Sequence, residues 1–171
     1  MTFLSRRSFL LGTAALAATG LTSPASAQFA PAPASWQFSS VTVDVDRLHA
    51  LGLGAYAEFI RAAVLAETRR EFADRLGRGG PRLIVRITGV QLSSYSGSGG
   101  GRFGSGGTPS DYLEGEALIV GARGEVLARY PQLSATPASS GGAWYDLQSE
   151  RRRALYLAQH YASWLRRTIG G

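Results

Sequence analysis

The chain contains two histidines, His49 and His160, and each is a candidate for acid–base chemistry. An imidazole titrates near neutral pH, and a neighbouring carboxylate can hold the ring as a general base. Asp44 and Asp46 lie close to His49 in the sequence, whereas His160 has no histidine or acid at a metal-ligand spacing on its own helix. Two interpretations stay open: catalysis by His49 or His160 with a carboxylate, or a solvated imidazole at each position.

A run of three arginines, Arg151, Arg152 and Arg153, lies in the first turn of the predicted last helix. Cations there oppose the helix dipole, so their position calls for a local explanation. Trp144 and Tyr145 precede the run and offer aromatic contacts. These five residues are a candidate surface for an anionic ligand or a protein partner, and neutralisation by nearby acids is the alternative.

Composition closes several classes of chemistry. All 18 basic residues are Arg, against 12 acids, and there is no Cys. Without Cys the chain has no disulfide, no thiolate nucleophile, no Cys-ligated metal and no lipid-modified Cys. Without Lys it has no P-loop, and the G-x-G-x-x-G match at 99–104 lies between predicted strands instead of opening a helix. We therefore predict no cofactor and no metal site.

The N-terminus has the order of an export signal: a pair of arginines, an apolar run that ends near residue 21, and a stretch of small residues. The apolar run is shorter than the roughly 20 residues that cross a bilayer, so it predicts a removable segment and not an anchor. The segment resembles a twin-arginine signal, and the positions that match its pattern are Ser5, Arg6, Arg7, Phe9 and Leu10.

The resemblance implies transport by the twin-arginine translocase and cleavage after Ala27, with Ala25 and Ala27 as the small residues of the cleavage pattern and Gln28 as the first residue of the product. We therefore predict a signal peptide at 1–27, a product that is periplasmic or secreted, and no stable membrane anchor after cleavage. Loss of Arg6 and Arg7 leaves a small net charge, and the destination holds no chromosomal DNA. For these reasons we predict no nucleic-acid partner.

Hydrophobic periodicity divides the rest of the chain into an extended linker at 28–35 and one domain at 36–171, with a Gly-rich loop at 96–110. A turn at 121–124 places Gly124 in a left-handed position. In chain order the predicted elements are a strand at 38–46, a helix at 55–76, strands at 82–92, 112–120 and 125–133, and a helix at 147–169 capped by Asp146.

The order β-α-β-β-β-α predicts an α+β two-layer sandwich, with a four-stranded, mostly antiparallel sheet and two helices on one face. The other face carries charges of both signs, which predicts cross-strand ion pairs and leaves a polar docking platform as the alternative. The outward residues are Asp44, Asp46, Arg86, Thr88, Tyr112, Glu114, Glu116 and Arg129.

This topology resembles the lipopolysaccharide-assembly lipoprotein and similar small periplasmic accessory proteins, in which two helices cover one face of a four-stranded sheet. The resemblance extends over residues 36–169 and concerns element order alone. Our leading hypothesis is a non-catalytic periplasmic accessory or binding module that holds an envelope component with the exposed sheet face, or with the Arg151 cluster beside Trp144 and Tyr145. The alternative is a small exported enzyme that uses His49 or His160 with a carboxylate.

Overall fold

The computed structural model describes residues 36–94, 109–143 and 145–170. Two 3-10 turns, Ala73–Arg75 and Ala138–Gly141, accompany the helices and strands. In chain order the elements are β1 (Ser40–Asp44), α1 (Asp46–Ala50), α2 (Gly54–Glu71), β2 (Arg82–Gln91), β3 (Ser110–Val120), β4 (Val126–Pro137) and α3 (Ser149–Gly170).

The four strands form one mixed sheet in the order β1-β2-β3-β4. β1 pairs with β2 in parallel, whereas the β2–β3 and β3–β4 pairs are antiparallel. A parallel pair needs a crossover connection, and α1 with α2 provides it between β1 and β2. The predicted α+β class with a mostly antiparallel sheet is confirmed.

Helices α2 and α3 contact each other and cover the same face of the sheet. The alternation along each strand places its apolar side chains under the helices, and the stripe of α3 closes the core from above. The fully buried side chains at this interface include Leu83, Val85 and Ile87 of β2, Leu113 and Ile119 of β3, and Leu157, Tyr161 and Leu165 of α3.

Several boundaries differ from the sequence prediction. α2 ends at Glu71, because the next residue, Phe72, turns inward and packs edge-to-face on Phe38 with 5.7 Å between ring centroids. The short helix α1 was not predicted, since only Leu48 among its five residues is buried. β4 continues to Pro137, through residues that the sequence assigned to a connection.

Two local predictions can be compared directly with the structure. Gly124 has φ +87°, and the N–H of Gly121 donates to the carbonyl of Glu125 over 2.8 Å, so the predicted turn is confirmed. α3 begins at Ser149, and the Asp146 carboxylate instead accepts the N–H of Gln148 over 2.8 Å in the preceding turn. The predicted cap therefore lies just outside the helix. The G-x-G-x-x-G match and the signal residues lie outside the described residues.

Candidate functional site

The three arginines at the start of α3 occupy three different environments. The Arg153 side chain is 3% exposed and lies against the fully buried carboxylate of Asp111. Its Nε donates to Asp111 Oδ2 over 2.7 Å, and its Nη2 donates to Asp111 Oδ1 and to the carbonyl of Ser93. Through these contacts the Arg153 guanidinium connects α3 to β3 and to Ser93, just after β2. It therefore does not belong to an exposed cluster.

Arg152 is held on the surface by two local contacts. Its Nε donates to the carbonyl of Gly141 over 2.8 Å, and its Nη2 donates to Asp146 Oδ2 over 2.7 Å. The N–H of Gln148 and the guanidinium of Arg152 together lower the pKa of Asp146. The carboxylate is therefore charged at neutral pH, and it offsets much of the positive charge of Arg152.

Arg151 extends across α2 and not toward an acid. Its guanidinium lies 5.2 Å from the centroid of the Phe59 ring, a cation–π geometry. Among the described residues no carboxylate forms an ion pair with Arg151. Tyr145 is 76% exposed before the helix, and Trp144 lies outside the described residues. Three of the predicted binding residues are exposed, Arg151, Arg152 and Tyr145, whereas Arg153 is buried.

The outward face of α3 carries large side chains that the sequence analysis did not single out. Leu155, Tyr156 and Trp164 are each 45–47% exposed. The indole N–H of Trp164 donates to Nε2 of His160 over 3.0 Å, and the Arg167 guanidinium lies 5.1 Å from the Trp164 ring. These contacts fix the indole in one orientation on the surface.

His160 is half-buried beside Trp164. Burial, and secondarily the charge of Arg167, lower the pKa of His160 below its usual 6.5. A neutral ring that accepts a hydrogen bond from Trp164 at Nε2 carries its own hydrogen on Nδ1. A shallow groove of about 160 Å³ lies beside the ring and is lined by Tyr156, Gln159, His160 and Ser163.

His49 pairs with an acid that sequence proximity did not suggest. Its Nε2 lies 2.8 Å from Oε1 of Glu58, and both side chains are nearly half exposed. A hydrogen bond from Arg61, and a second from His49, lower the pKa of Glu58. The alternative in which Asp44 or Asp46 polarises His49 does not form, because Asp44 accepts the N–H of Asp46 and bonds to Arg86.

The face of the sheet opposite the helices carries a ladder of ion pairs across all four strands. Arg86 bonds to Asp44 and to Glu116, each over 3.1 Å, and Glu116 accepts from Arg129 over 2.7 Å. The predicted cross-strand pairing is therefore confirmed, although Asp46 begins α1 and does not lie on the strand.

Beyond this ladder the same face has a shallow depression of about 280 Å³. Its lining includes Gly89, Gln91, Tyr112, Glu114 and Leu133. Within 36–94, 109–143 and 145–170 no group of three or more His, Asp or Glu side chains could hold a metal ion. None of the helices in these ranges combines the length and hydropathy of a membrane span.

The comparisons with known proteins give one distant likeness to report. No family model and no curated protein matches the chain. A crystal structure at 2.35 Å of a minor lipoprotein from Acinetobacter baumannii is similar over 78% of this chain and 90% of that chain, with 11% identity and a TM-score of 0.33. The function is therefore inferred from the residues of this chain.

Proposed function

We propose that this protein is an exported accessory or binding module of the periplasm, and that the outward face of α3 holds an anionic component of the envelope. Export is proposed on the twin-arginine pattern at Arg6 and Arg7 and the cleavage pattern at Ala27. In this proposal the translocase is a partner during transport, and the envelope component is the partner afterwards.

The charge pattern of α3 is the observation that supports binding. From Arg151 to its end the helix contains five arginines and no acid. Arg153 forms a buried ion pair with Asp111, and Arg152 and Arg166 form ion pairs with surface acids. The remaining two, Arg151 and Arg167, contact aromatic rings instead. A surface with uncompensated guanidinium groups beside exposed aromatic side chains suits an anionic partner.

Charge reversal tests the surface without disturbing a buried group. We expect Arg151→Glu with Arg167→Glu to release the envelope component that crosslinks to a photoreactive residue at Gln159 in native cells. The matched control, Arg78→Glu with Arg123→Glu, makes the same charge change at exposed positions outside α3. Crosslinks that persist after reversal on α3, or that disappear equally in the control, would contradict the proposal.

The His49–Glu58 contact favours a second candidate function, a small exported enzyme with acid–base chemistry. A carboxylate 2.8 Å from Nε2 is within the distance at which an acid orients a general base. Joint replacement His49→Ala with His160→Ala separates the two functions. A binding module keeps its crosslinked partner and its cellular phenotype, whereas an enzyme loses the phenotype while the fold is retained.

A further inference from the structure

We propose that α3 binds the surface of an anionic phospholipid bilayer, with Tyr156 and Trp164 at the level of the headgroups; this inference rests on the proposed function and names its partner. The helix lies on the outside of the molecule and extends for 22 residues, about 33 Å. Its outward side chains are exposed, and the groove beside Tyr156 is shallow. An exposed helix without a deep groove suits a flat, deformable surface better than it suits a partner helix, which needs a groove.

The charges of the helix favour phosphate groups. Arg151 and Arg167 lie near opposite ends of α3, and neither forms an ion pair with a carboxylate among the described residues. Arg152 lies between them in projection, on the outward side, but Asp146 offsets much of its charge. Each uncompensated arginine near an anionic membrane surface contributes about 1 kcal/mol of attraction. Arg151 and Arg167, on a helix with no acid after Glu150, therefore give a surface that anionic lipid attracts and zwitterionic lipid does not.

The aromatic residues supply the second part of the interaction. Tyr156 and Trp164 each expose almost half of their surface. Trp and Tyr concentrate at the boundary between water and hydrocarbon, because one end of each ring is apolar and the other carries a hydrogen-bonding group. His160 and Arg167 hold the indole of Trp164 in place, so little side-chain freedom is lost on binding.

The experiment measures cosedimentation of the purified protein with phosphatidylcholine vesicles, with and without phosphatidylglycerol. We expect binding only where phosphatidylglycerol is present, with loss of affinity as salt is raised. Reversal of charge at Arg151 and Arg167 should weaken binding by at least tenfold, as estimated from about 1 kcal/mol for each charge. The Arg78→Glu, Arg123→Glu control has the same net charge as the α3 variant and the same N-terminus as both other proteins. It should bind as the wild type does.

A second variant tests the aromatic contact. Trp164→Ala should lower vesicle affinity without changing the fold, because the indole is on the surface. The wild-type protein should show a blue shift of Trp fluorescence on vesicles, and Trp164→Phe should remove most of that shift. Circular dichroism of each variant should match that of the wild type, which checks that the fold is intact.

Three results would overturn the lipid inference: no binding to phosphatidylglycerol, equal binding to both vesicle types, or equal loss in the α3 variant and its control. An envelope protein crosslinked at Gln159 while vesicles fail to bind would also overturn it, and the proposed binding function would then stand with a protein partner. Loss of both the crosslink and the vesicle binding would remove the proposed function as well.

Discussion

The guanidinium of Arg153 lies inside the protein although it belongs to a run of three arginines at the start of α3. Helical periodicity explains this position, because Arg153 precedes Leu157 and Tyr161 by one and two steps of four residues on the buried stripe. Its neighbour Arg152 projects outward, and Arg151 extends over the Phe59 ring of α2. The same spacing rule could have separated the three side chains from sequence alone.

The buried ion pair gives a direct test at the residue scale. Arg153→Met leaves the Asp111 carboxylate buried without its cation, and removal of one partner of such a pair costs about 3–5 kcal/mol of stability. We expect urea denaturation to show a loss of this size. The double variant Arg153→Met with Asp111→Leu should recover most of it. A single variant within about 1 kcal/mol of the wild type would show that the pair behaves like a surface salt bridge.

His160 gives the second residue-scale prediction, through the pH dependence of stability. Burial, followed by the charge of Arg167, lowers its pKa below 6.5, so the unfolded chain binds the proton more readily than the folded chain does. The free energy of unfolding should therefore fall as the pH drops through 6.5 toward the folded pKa, and this contribution is fully present above 6.5.

His160→Gln keeps an acceptor for the indole of Trp164 and removes the titration. Denaturant unfolding at neutral pH and at about pH 5 should show a smaller loss of stability in the variant than in the wild type. His49 is present in both proteins, so its contribution cancels in the comparison. An equal or larger loss in the variant would contradict the assignment.

At the scale of elements, the contact between β3 and α3 depends on a strand glycine. A methyl group at Gly115 would lie 2.9 Å from the hydroxyl oxygen of Tyr161 and would clash with the carbonyl of Arg86. The protein can accept it only if the Arg86 carbonyl of β2 and the Tyr161 ring of α3 both shift. The absence of a side chain at this position allows Tyr161 to reach the sheet.

Gly115→Ala should destabilise the protein by about 1–3 kcal/mol, the usual cost of overpacking. Gly77→Ala is the matched control, since its new methyl would meet nothing nearer than the Gln37 Oε1 atom at 4.0 Å, and it should change stability by less than about 0.5 kcal/mol. Thermal unfolding of both variants measures the difference. Equal effects at the two positions would show that the close approach of Tyr161 is not needed.

Periodicity predicted the class and order of the elements because each strand and each long helix has one buried side. It could not assign a parallel pairing to β1 and β2, since strand neighbours are fixed by contacts distant in sequence. The short helix α1 buries only Leu48 and so has no repeat to detect. The pairing of Arg153 with Asp111 joins residues 42 apart, and local reasoning could not find it.

The candidate site was predicted only in part. Strand alternation placed Arg86, Glu116 and Arg129 on one face, and the structure pairs them there. Apolar periodicity did not reveal the aromatic part of the α3 surface, because these large side chains lie outside the buried stripe of the helix. Tyr156 and Trp164, eight residues apart and off that stripe, were the available signal.

At the scale of the whole molecule, the proposed function gives the two groups of arginines separate roles. Arg6 and Arg7 are proposed to direct transport and then to be removed, whereas the arginines of α3 stay with the folded protein. A protein without Arg6 and Arg7 would not reach the envelope component that the arginines of α3 are proposed to hold.

The intact mass of the protein in separated cell fractions tests this account most directly. We predict that the periplasmic fraction contains a chain beginning near Gln28, and that Arg6→Lys with Arg7→Lys leaves the full-length chain in the cytoplasm. A wild-type protein that is recovered from the cytoplasm with residues 1–27 still attached would contradict the account.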